Sequence, residues 1–349
     1  MRIASAASAF PNQVYDQQSI TRALEEFWGE RLQNPRLLQR LHARTGVEKR
    51  HLALPLERYQ EIDSWGKANS LWIDEAERLG AAAICRAITP LGLRPRDVSA
   101  LYFTSVTGIS SPSIDARLIN RIGLSPNLKR LPLFGLGCVA GAAGISRAAD
   151  YVRAFPGEVA VVLAVELCSL TWQREDLSTA NLIASGLFGD GAAAVVVAGT
   201  DVELSGPAVI ATRSVFYPSS EEVMGWDISE HGFRIVLSRD VPVIVERRLR
   251  GDVDAFLECQ GLARRDIGSW IIHTGGPSVL EAVGRSLELP ENALEASWEC
   301  LRKVGNLSSA SVLVVLQDYL VRRRGAPGSY SVLAAVGPGF CSELVLLRW

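Results

Sequence analysis

The sequence contains the stretch GLRPRDVSAL at residues 92–101 and a related stretch, GLARRDIGSW, at residues 261–270. Two further pairs follow in the same order: residues 137–151, running from GCVA to DY, with residues 305–319, running from GNLS to DY, and VVLA at 161–164 with SVLA at 331–334. The members of all three pairs are separated by nearly the same number of residues. The chain is therefore predicted to consist of two copies of one fold.

Within each copy, strands and helices alternate. Apolar runs typical of buried strands lie at residues 100–105, 159–165, 270–273 and 331–336. Helical spacing of apolar residues is found at residues 75–88, 141–154, 243–259 and 309–322. This order predicts an α/β fold. We predict an N-terminal half at 1–205 and a C-terminal half at 206–349, with the loosest segment, 200–225, between them and a helical, polar region over residues 1–70.

Charge and composition exclude several classes of function. The chain has 36 Lys and Arg against 38 Asp and Glu, so it has no overall basic field that would attract a nucleic acid. No signal-peptide pattern follows Met1, and the longest apolar runs are far shorter than the roughly 20 residues that a bilayer demands. The six cysteines form no CxxC pair, which argues against a zinc site or a disulfide scaffold. We expect a cytoplasmic protein with no membrane span, no metal and no nucleic-acid partner.

One cysteine stands in a position that suits a nucleophile. Cys138 lies where the strand-like run 131–136 turns into a helix of small residues. A thiol at a helix N-terminus faces the positive end of the helix dipole, which favours the thiolate. The glycines on both sides of Cys138 allow a sharp turn and close approach of a substrate.

The duplication makes two further residues candidates for the same site as Cys138. His273 follows an apolar run, at the end of a predicted strand, where α/β proteins gather active-site groups. Alone it is more often a structural hydrogen-bonding residue, and Asn306 alone is a helix cap. Asn306, however, is the repeat equivalent of Cys138. A pseudo-twofold axis would bring the three together as a thiol nucleophile, a base and an oxyanion donor.

Five blocks carry a resemblance to a known family: GCVAG (137–141), LFGDGAAA (187–194), IHTGGP (272–277), GNLSSA (305–310) and VGPGF (336–340). In this order they resemble the signature blocks of type III polyketide synthases, the chalcone synthase family of the thiolase fold. The resemblance runs nearly end to end. It implies duplicated αβα halves in a five-layered αβαβα core, no permanently bound cofactor, and coenzyme A thioesters as substrates.

The resemblance also implies roles for individual residues. Cys138 would carry the acyl chain as a thioester, and His273 and Asn306 would polarise malonyl-CoA, drive its decarboxylation and stabilise the enolate. His273 would also pair with Cys138 as imidazolium and thiolate. Phe188 matches a gatekeeper between the coenzyme tunnel and the cavity, for which an ordinary core aromatic is the alternative.

Other matches concern the cavity and the coenzyme. The loop Gly337, Pro338 and Gly339 would shape the cyclisation cavity, whose other walls would include Ile235, Thr107, Cys168, Thr171 and Trp226. Arg40, Arg44 and Ser308 would contact coenzyme A. The two arginines belong to a basic cluster made of Arg31, Arg36, Arg40, Arg44, Lys49 and Arg50, which is either a solvated helix face or a phosphate-binding patch.

Departures from the plant members of the family bear on the product. Ile235 replaces a second gatekeeper phenylalanine, Cys168 a threonine, and Ser111 a methionine that reaches into the partner subunit's cavity. Together with the segment 224–238, these changes resemble bacterial members that make alkylpyrones and alkylresorcinols from medium- or long-chain fatty acyl starters and malonyl-CoA. The alternatives are a 3-ketoacyl-acyl-carrier-protein synthase III, which stops after one condensation, and a non-catalytic acyl-CoA-binding homologue in a heterocomplex. The family implies a homodimer.

Overall fold

The computed structural model describes all 349 residues. The strands are β1 (Arg2–Ala9), β2 (Gln13–Asp16), β3 (Lys49–Leu52), β4 (Ala100–Thr104), β5 (Lys129–Leu133), β6 (Val159–Leu167), β7 (Asp190–Ala198), β8 (Ala208–Phe216), β9 (Met224–Ser229), β10 (Gly232–Leu237), β11 (Ile267–Ile272), β12 (Tyr330–Gly337) and β13 (Cys341–Arg348). The α-helices are α1 (Gln17–Trp28), α2 (Pro35–Ala43), α3 (Trp65–Ile88), α4 (Ile114–Ile122), α5 (Ala140–Ala154), α6 (Thr179–Leu187), α7 (Val241–Glu258), α8 (Pro277–Leu287), α9 (Glu295–Val304) and α10 (Ser311–Asp318).

Nine strands form one sheet in the order β5-β4-β6-β7-β1-β8-β13-β12-β11. A single residue pair, Arg2 with Ala208, joins β1 to β8, so the sheet consists of two parts. The order β4-β6-β7-β1 in one part repeats as β11-β12-β13-β8 in the other. In both, the first pair is parallel and the next two are antiparallel. The predicted duplication is confirmed.

Helices cover and separate the two parts of the sheet. Helix α3 packs on the outer face formed by β1, β6 and β7, and α7 and α8 cover the outer face of the C-terminal part. Helices α5 and α10 lie between the two parts and contact strands of both. These are the five layers of the thiolase fold. Because both halves share the central helices, the division at residues 205 and 206 remains a prediction.

Small residues make the central layer thin. A Cβ atom added to Gly141 in α5 would lie 2.3 Å from the carbonyl oxygen of Ser309. At Gly144, one turn later, it would lie 2.6 Å from a methyl group of Val162 in β6. Only glycine allows α5 to approach both neighbours this closely. The approach brings the start of α5 against the residues that precede α10.

Two expectations about the chain are wrong. Residues 1–70 are not all helical, since β1 lies in the middle of the sheet and β2 pairs with β3. The segment 200–225 contains β8, which pairs with β13 along its whole length. The alanine- and serine-rich sequence of β1 has no clear strand propensity, and pairing with β7 decides its conformation.

The helix expected over residues 309–322 is regular only from Ser311 to Asp318 and continues as a π-helical turn, Tyr319–Arg323. None of the helices combines the length and apolar composition that a membrane span requires.

Candidate active site

Cys138 lies in a tight turn, Gly137–Val139, that leads directly into α5. Gly137 has a φ of 51°, and a Cβ atom there would lie 2.7 Å from the ring of Pro338. Glycine is therefore required for the turn and for the contact of Pro338 beside it. The thiol is buried, and its one hydrogen-bond partner is the hydroxyl of Ser308, with 3.7 Å between Sγ and Oγ.

Asn306 occupies the matching position before α10. Its backbone bridges to Phe188, and its side-chain oxygen accepts hydrogen bonds from Ser308 N at 2.8 Å and Ser311 Oγ at 3.3 Å. The oxygen is thereby fixed, and the amide Nδ2 donates to no group of the protein. A fixed amide with free N–H groups is what an oxyanion donor requires.

His273 follows the last residue of β11, and its backbone N–H donates to Ala334 O at 3.0 Å. The ring is buried, yet neither ring nitrogen has a hydrogen-bond partner in the protein. Thr274, the next residue, donates to Ser311 Oγ at 2.9 Å, the same hydroxyl that binds Asn306. Ser311 thus links the segments that carry the histidine and the asparagine. An unpartnered buried imidazole leaves its N–H and its lone pair available to a substrate.

Burial sets the charge state of the thiol and the imidazole. It raises the pKa of Cys138 to about 12, opposed by the hydrogen bond with Ser308, and it lowers the pKa of His273 to about 3. Burial therefore favours the neutral form of both groups, and no hydrogen bond joins them. For the thiol, this effect opposes the thiolate that the helix N-terminus favours.

A buried glutamate, Glu166, ties the two halves together. Glu166 stands at the end of β6 with no solvent exposure. One carboxylate oxygen accepts from the Ser309 hydroxyl, and the other accepts from Ser105 Oγ at 3.2 Å, Val106 N at 3.1 Å and Thr107 Oγ1 at 3.0 Å. Burial raises its pKa. The sequence signal that could have indicated it is a charged residue inside the apolar strand VAVVLAVEL.

Arg50 is also buried, so this member of the basic cluster belongs to neither a solvated face nor a phosphate-binding patch. It donates to the carbonyl oxygens of Ser185 at 2.8 Å and Phe188 at 2.6 Å, at the C-terminal end of α6. Burial lowers its pKa to about 10. The carbonyl oxygen of Leu187, which lies between these two residues in the chain, accepts from Asn306 N at 2.9 Å. Arg50 and Asn306 together satisfy backbone groups that a helix end leaves free.

Most of the predicted cavity residues lie together. Phe188, Cys168, Thr171, Trp226 and Ile235 line one cavity, which we call the gate cavity, with Trp226 and Ile235 paired across the β9–β10 hairpin. Its volume is about 10 Å³, which holds roughly one water molecule. Thr107 does not reach it. Thr107 lines a separate cavity of about 390 Å³, to which Thr171 and Trp172 also contribute.

The predicted coenzyme contacts fall into two groups. Arg40 and Arg44 lie on the exposed face and at the end of α2, and neither forms an ion pair, so their charges are free for an anion. Ser308 does not lie with them, because it is buried against Cys138. No group of three or more His, Cys, Asp or Glu side chains is placed to hold a metal ion.

The fold and the cysteine, histidine and asparagine that it gathers define a condensing enzyme of the thiolase fold. The family models for the N-terminal and C-terminal domains of chalcone and stilbene synthases match residues 2–201 and 208–349. The chain belongs to this family and is a type III polyketide synthase, an acyltransferase that forms carbon–carbon bonds by decarboxylating condensation.

Relatives with named products support the same conclusion. The chain is 49% identical to a 1,3,6,8-tetrahydroxynaphthalene synthase of Streptomyces peucetius subsp. caesius, over 99% of this chain and 93% of that protein. It is 32% identical to a phloroglucinol synthase of Pseudomonas fluorescens, over 97% of both. Among solved structures, 1,3,6,8-tetrahydroxynaphthalene synthase of Streptomyces coelicolor A3(2), a bacterial type III polyketide synthase, matches with a TM-score of 0.94 at 30% identity, over 100% of this chain and 99% of that one.

Proposed function

We propose that the protein builds a polyhydroxylated aromatic compound from malonyl-CoA, with a small acyl unit as the starter. The observation that carries the proposal is the 49% identity, over 99% of this chain, to a 1,3,6,8-tetrahydroxynaphthalene synthase. The gate cavity, at about 10 Å³, is too small for a long starter chain and equally for an aromatic product, so it would have to widen for either. The relatives named for tetrahydroxynaphthalene and phloroglucinol, both polyhydroxylated aromatics, support this product class.

The reaction would start at Cys138. The thiol attacks the thioester carbonyl of the starter, its proton passes to the leaving coenzyme A thiolate, and a new thioester forms on Sγ. Attack requires the thiolate, and a ring nitrogen of His273 would take the proton to give the thiolate and imidazolium pair that the family resemblance implies, although burial of both groups opposes this charge separation. Arg40 and Arg44 would hold the phosphates of coenzyme A.

Chain extension would use the free donors of His273 and Asn306. Malonyl-CoA loses CO2, and the electron pair of the broken bond forms an enolate whose oxygen accepts from the imidazole N–H and the Asn306 amide. A neutral imidazole suits this role because it still carries one N–H. The enolate carbon then attacks the acyl thioester, Cys138 leaves as thiolate, and the extended chain returns to Cys138 for the next cycle.

A second candidate starter is a medium- or long-chain fatty acyl group, which would give an alkylpyrone or alkylresorcinol. The cavity of about 390 Å³ favours it, because apolar rings of Trp65 and Phe233 line that cavity. Movement of Thr171 or Trp172, which line both cavities, would connect it to the gate cavity.

Incubation with malonyl-CoA alone, and with a panel of acyl-CoA starters, tests both candidates. We expect an aromatic product from malonyl-CoA, alone or with a small acyl-CoA starter, identified by mass spectrometry. Products that retain an alkyl chain from the starter, in preference to that aromatic, would favour the fatty acyl candidate. Incorporation of only one malonyl unit would instead indicate a synthase of the 3-ketoacyl type and contradict both.

We also propose that two copies associate through the edge strand β5. This strand ends the sheet, so its outer backbone groups are unpaired. The neighbouring side chains Leu131 and Phe134 are 36% and 49% exposed. Ser111 lines an open cavity beside them, which is what we expect of a loop that faces a second copy of the chain. Analytical ultracentrifugation should give twice the chain mass, and Phe134→Asp should shift it to the single chain.

A further inference from the structure

The loop Gly337–Gly339 lies directly over the nucleophile. The Pro338 ring touches Gly137, and a Cβ atom added to Gly337 would lie 2.9 Å from Val139 N and 3.3 Å from Cys138 N. An acyl chain held on Cys138 therefore grows beside this loop. A small movement of the loop changes the space in which the chain bends.

At the C-terminal end of the loop, a side chain takes the place of one backbone hydrogen bond between two strands. Strands β8 and β13 pair as far as Phe216 and Cys341. At the next pair, Tyr217 N donates to Phe340 O at 2.9 Å, as an antiparallel ladder requires. The reciprocal bond is replaced by a side chain. Phe340 N donates to the hydroxyl of Ser220 at 2.7 Å, and that hydroxyl donates to Tyr217 O.

The Ser220 hydroxyl makes these two hydrogen bonds and no others. Ser220 precedes the short turn Glu221–Val223, where a serine usually caps the turn with its side chain. Here it makes no such bond. It is buried, as are Tyr217 and Phe340, so no water replaces it easily. Without the hydroxyl, the buried N–H of Phe340 has no acceptor unless the backbone moves.

Ser220 also connects the loop to another wall of the gate cavity. Four residues after it, the chain enters the β9–β10 hairpin, which carries Trp226 and Ile235. Tyr217, on the other side, donates its hydroxyl to Asp252 of α7. The second side-chain bond on the loop, from the Cys341 thiol to Pro338 O at 3.1 Å, is local and fixes no distant element. Ser220 is thus the side chain that ties the loop to the hairpin.

We propose that Ser220 is a positioning residue for cyclisation, which fixes the loop Gly337–Gly339 relative to Cys138 and thereby selects the bond that closes the ring. This inference rests on the proposed function. Ser220 does not touch the reacting atoms in it. It acts through the loop, so it governs the product formed rather than the loading or decarboxylation steps.

The test compares Ser220→Ala with Ser219→Ala, a neighbouring exposed serine whose side chain makes no hydrogen bond. Each variant is incubated with malonyl-CoA, and three quantities are measured: coenzyme A release, the ratio of aromatic product to lactone by-products, and the melting temperature. For Ser220→Ala we expect the ratio to fall by about fivefold, the equivalent of one hydrogen bond, while coenzyme A release stays within about twofold. Ser219→Ala and Ser220→Thr, which keeps the hydroxyl, should behave like the wild type.

An unchanged product ratio in Ser220→Ala would overturn the inference. Loss of product in proportion to coenzyme A release and folded protein would also overturn it, because that pattern indicates a merely structural role. If Ser220→Ala does not fold, Ser220→Cys, with a weaker acceptor, is judged by the same ratio. Failure of the wild type to join several malonyl units is a different result, which contradicts the proposed function itself.

Discussion

Cys138 would be required for chain extension but not for the decarboxylation of malonyl-CoA. Its thiol would carry the growing chain, whereas the free donors of His273 and Asn306 would act on malonyl-CoA without it. We expect Cys138→Ala to lower product formation by more than about 1000-fold and to retain measurable release of CO2 from malonyl-CoA. Radiolabelled malonyl-CoA reports both quantities. Retained chain extension in this variant would exclude Cys138 as the acyl carrier.

Ser308 is the group that favours ionisation of the thiol. The hydroxyl lies 3.7 Å from Sγ and can turn to donate once the thiol loses its proton, which lowers the thiol pKa against the effect of burial. In Ser308→Ala, the pH profile of alkylation by iodoacetamide at Cys138 should move to higher pH, with a several-fold slower reaction at pH 8. Ser309→Ala, whose hydroxyl binds Glu166, serves as a comparison. An identical profile for Ser308→Ala and wild type would contradict this.

The sequence allowed the three central residues to be predicted because two of them occupy equivalent positions of a repeat. It did not allow the roles of Glu166 and Arg50 to be predicted, since their partners lie 143 and 138 residues away along the chain. Nor did it predict how strongly burial opposes ionisation of the thiol, because no local pattern encodes the depth of burial.

At the scale of elements, the contact between α5 and the residues before α10 depends on Gly141. A Cβ atom there would overlap the Ser309 carbonyl, so Gly141→Ala should destabilise the protein by about 1–3 kcal/mol and displace the turn that carries Ser308. Urea denaturation measures the loss. Gly157→Ala is the control, because no atom lies within 4 Å of the added Cβ. Equal unfolding free energies of the two variants would show that α5 can move away from the residues before α10 without loss of stability.

The elements differ in how well their sequences predict them. The strands β4, β6, β11 and β12 are apolar runs and lie within a few residues of their expected ends. The first strand, β1, is rich in Ala and Ser and was expected to be helical. Its conformation follows from a partner, β7, at the other end of the N-terminal half. Long-range pairing of this kind overrides local propensity.

At the scale of the whole molecule, buried histidines couple stability to pH. Burial lowers the pKa of His42 to about 3, from 6.5. The unfolded chain therefore binds a proton at this residue below pH 6.5, whereas the native protein does not, and stability falls as the pH decreases. Between pH 7 and pH 5, the wild type should lose about 2 kcal/mol more unfolding free energy than His42→Gln.

Urea unfolding at the two pH values measures that difference. His231 is exposed, so His231→Gln should lose as much as the wild type. A variant His42→Gln with the same pH dependence as the wild type would show that His42 is protonated in the native protein.

The position of β1 has a consequence for how the chain folds. Residues 2–9 leave the ribosome well before their partner β7, which ends at Ala198, and β8 begins ten residues later. Until β7 has been synthesised, the backbone groups of β1 are unpaired. The sheet of the N-terminal half therefore closes late, and such distant pairing makes folding slow. The C-terminal strands then attach to an edge already occupied by β1, through the single pair Arg2 and Ala208. Nascent chains that end before β7 should depend on chaperones.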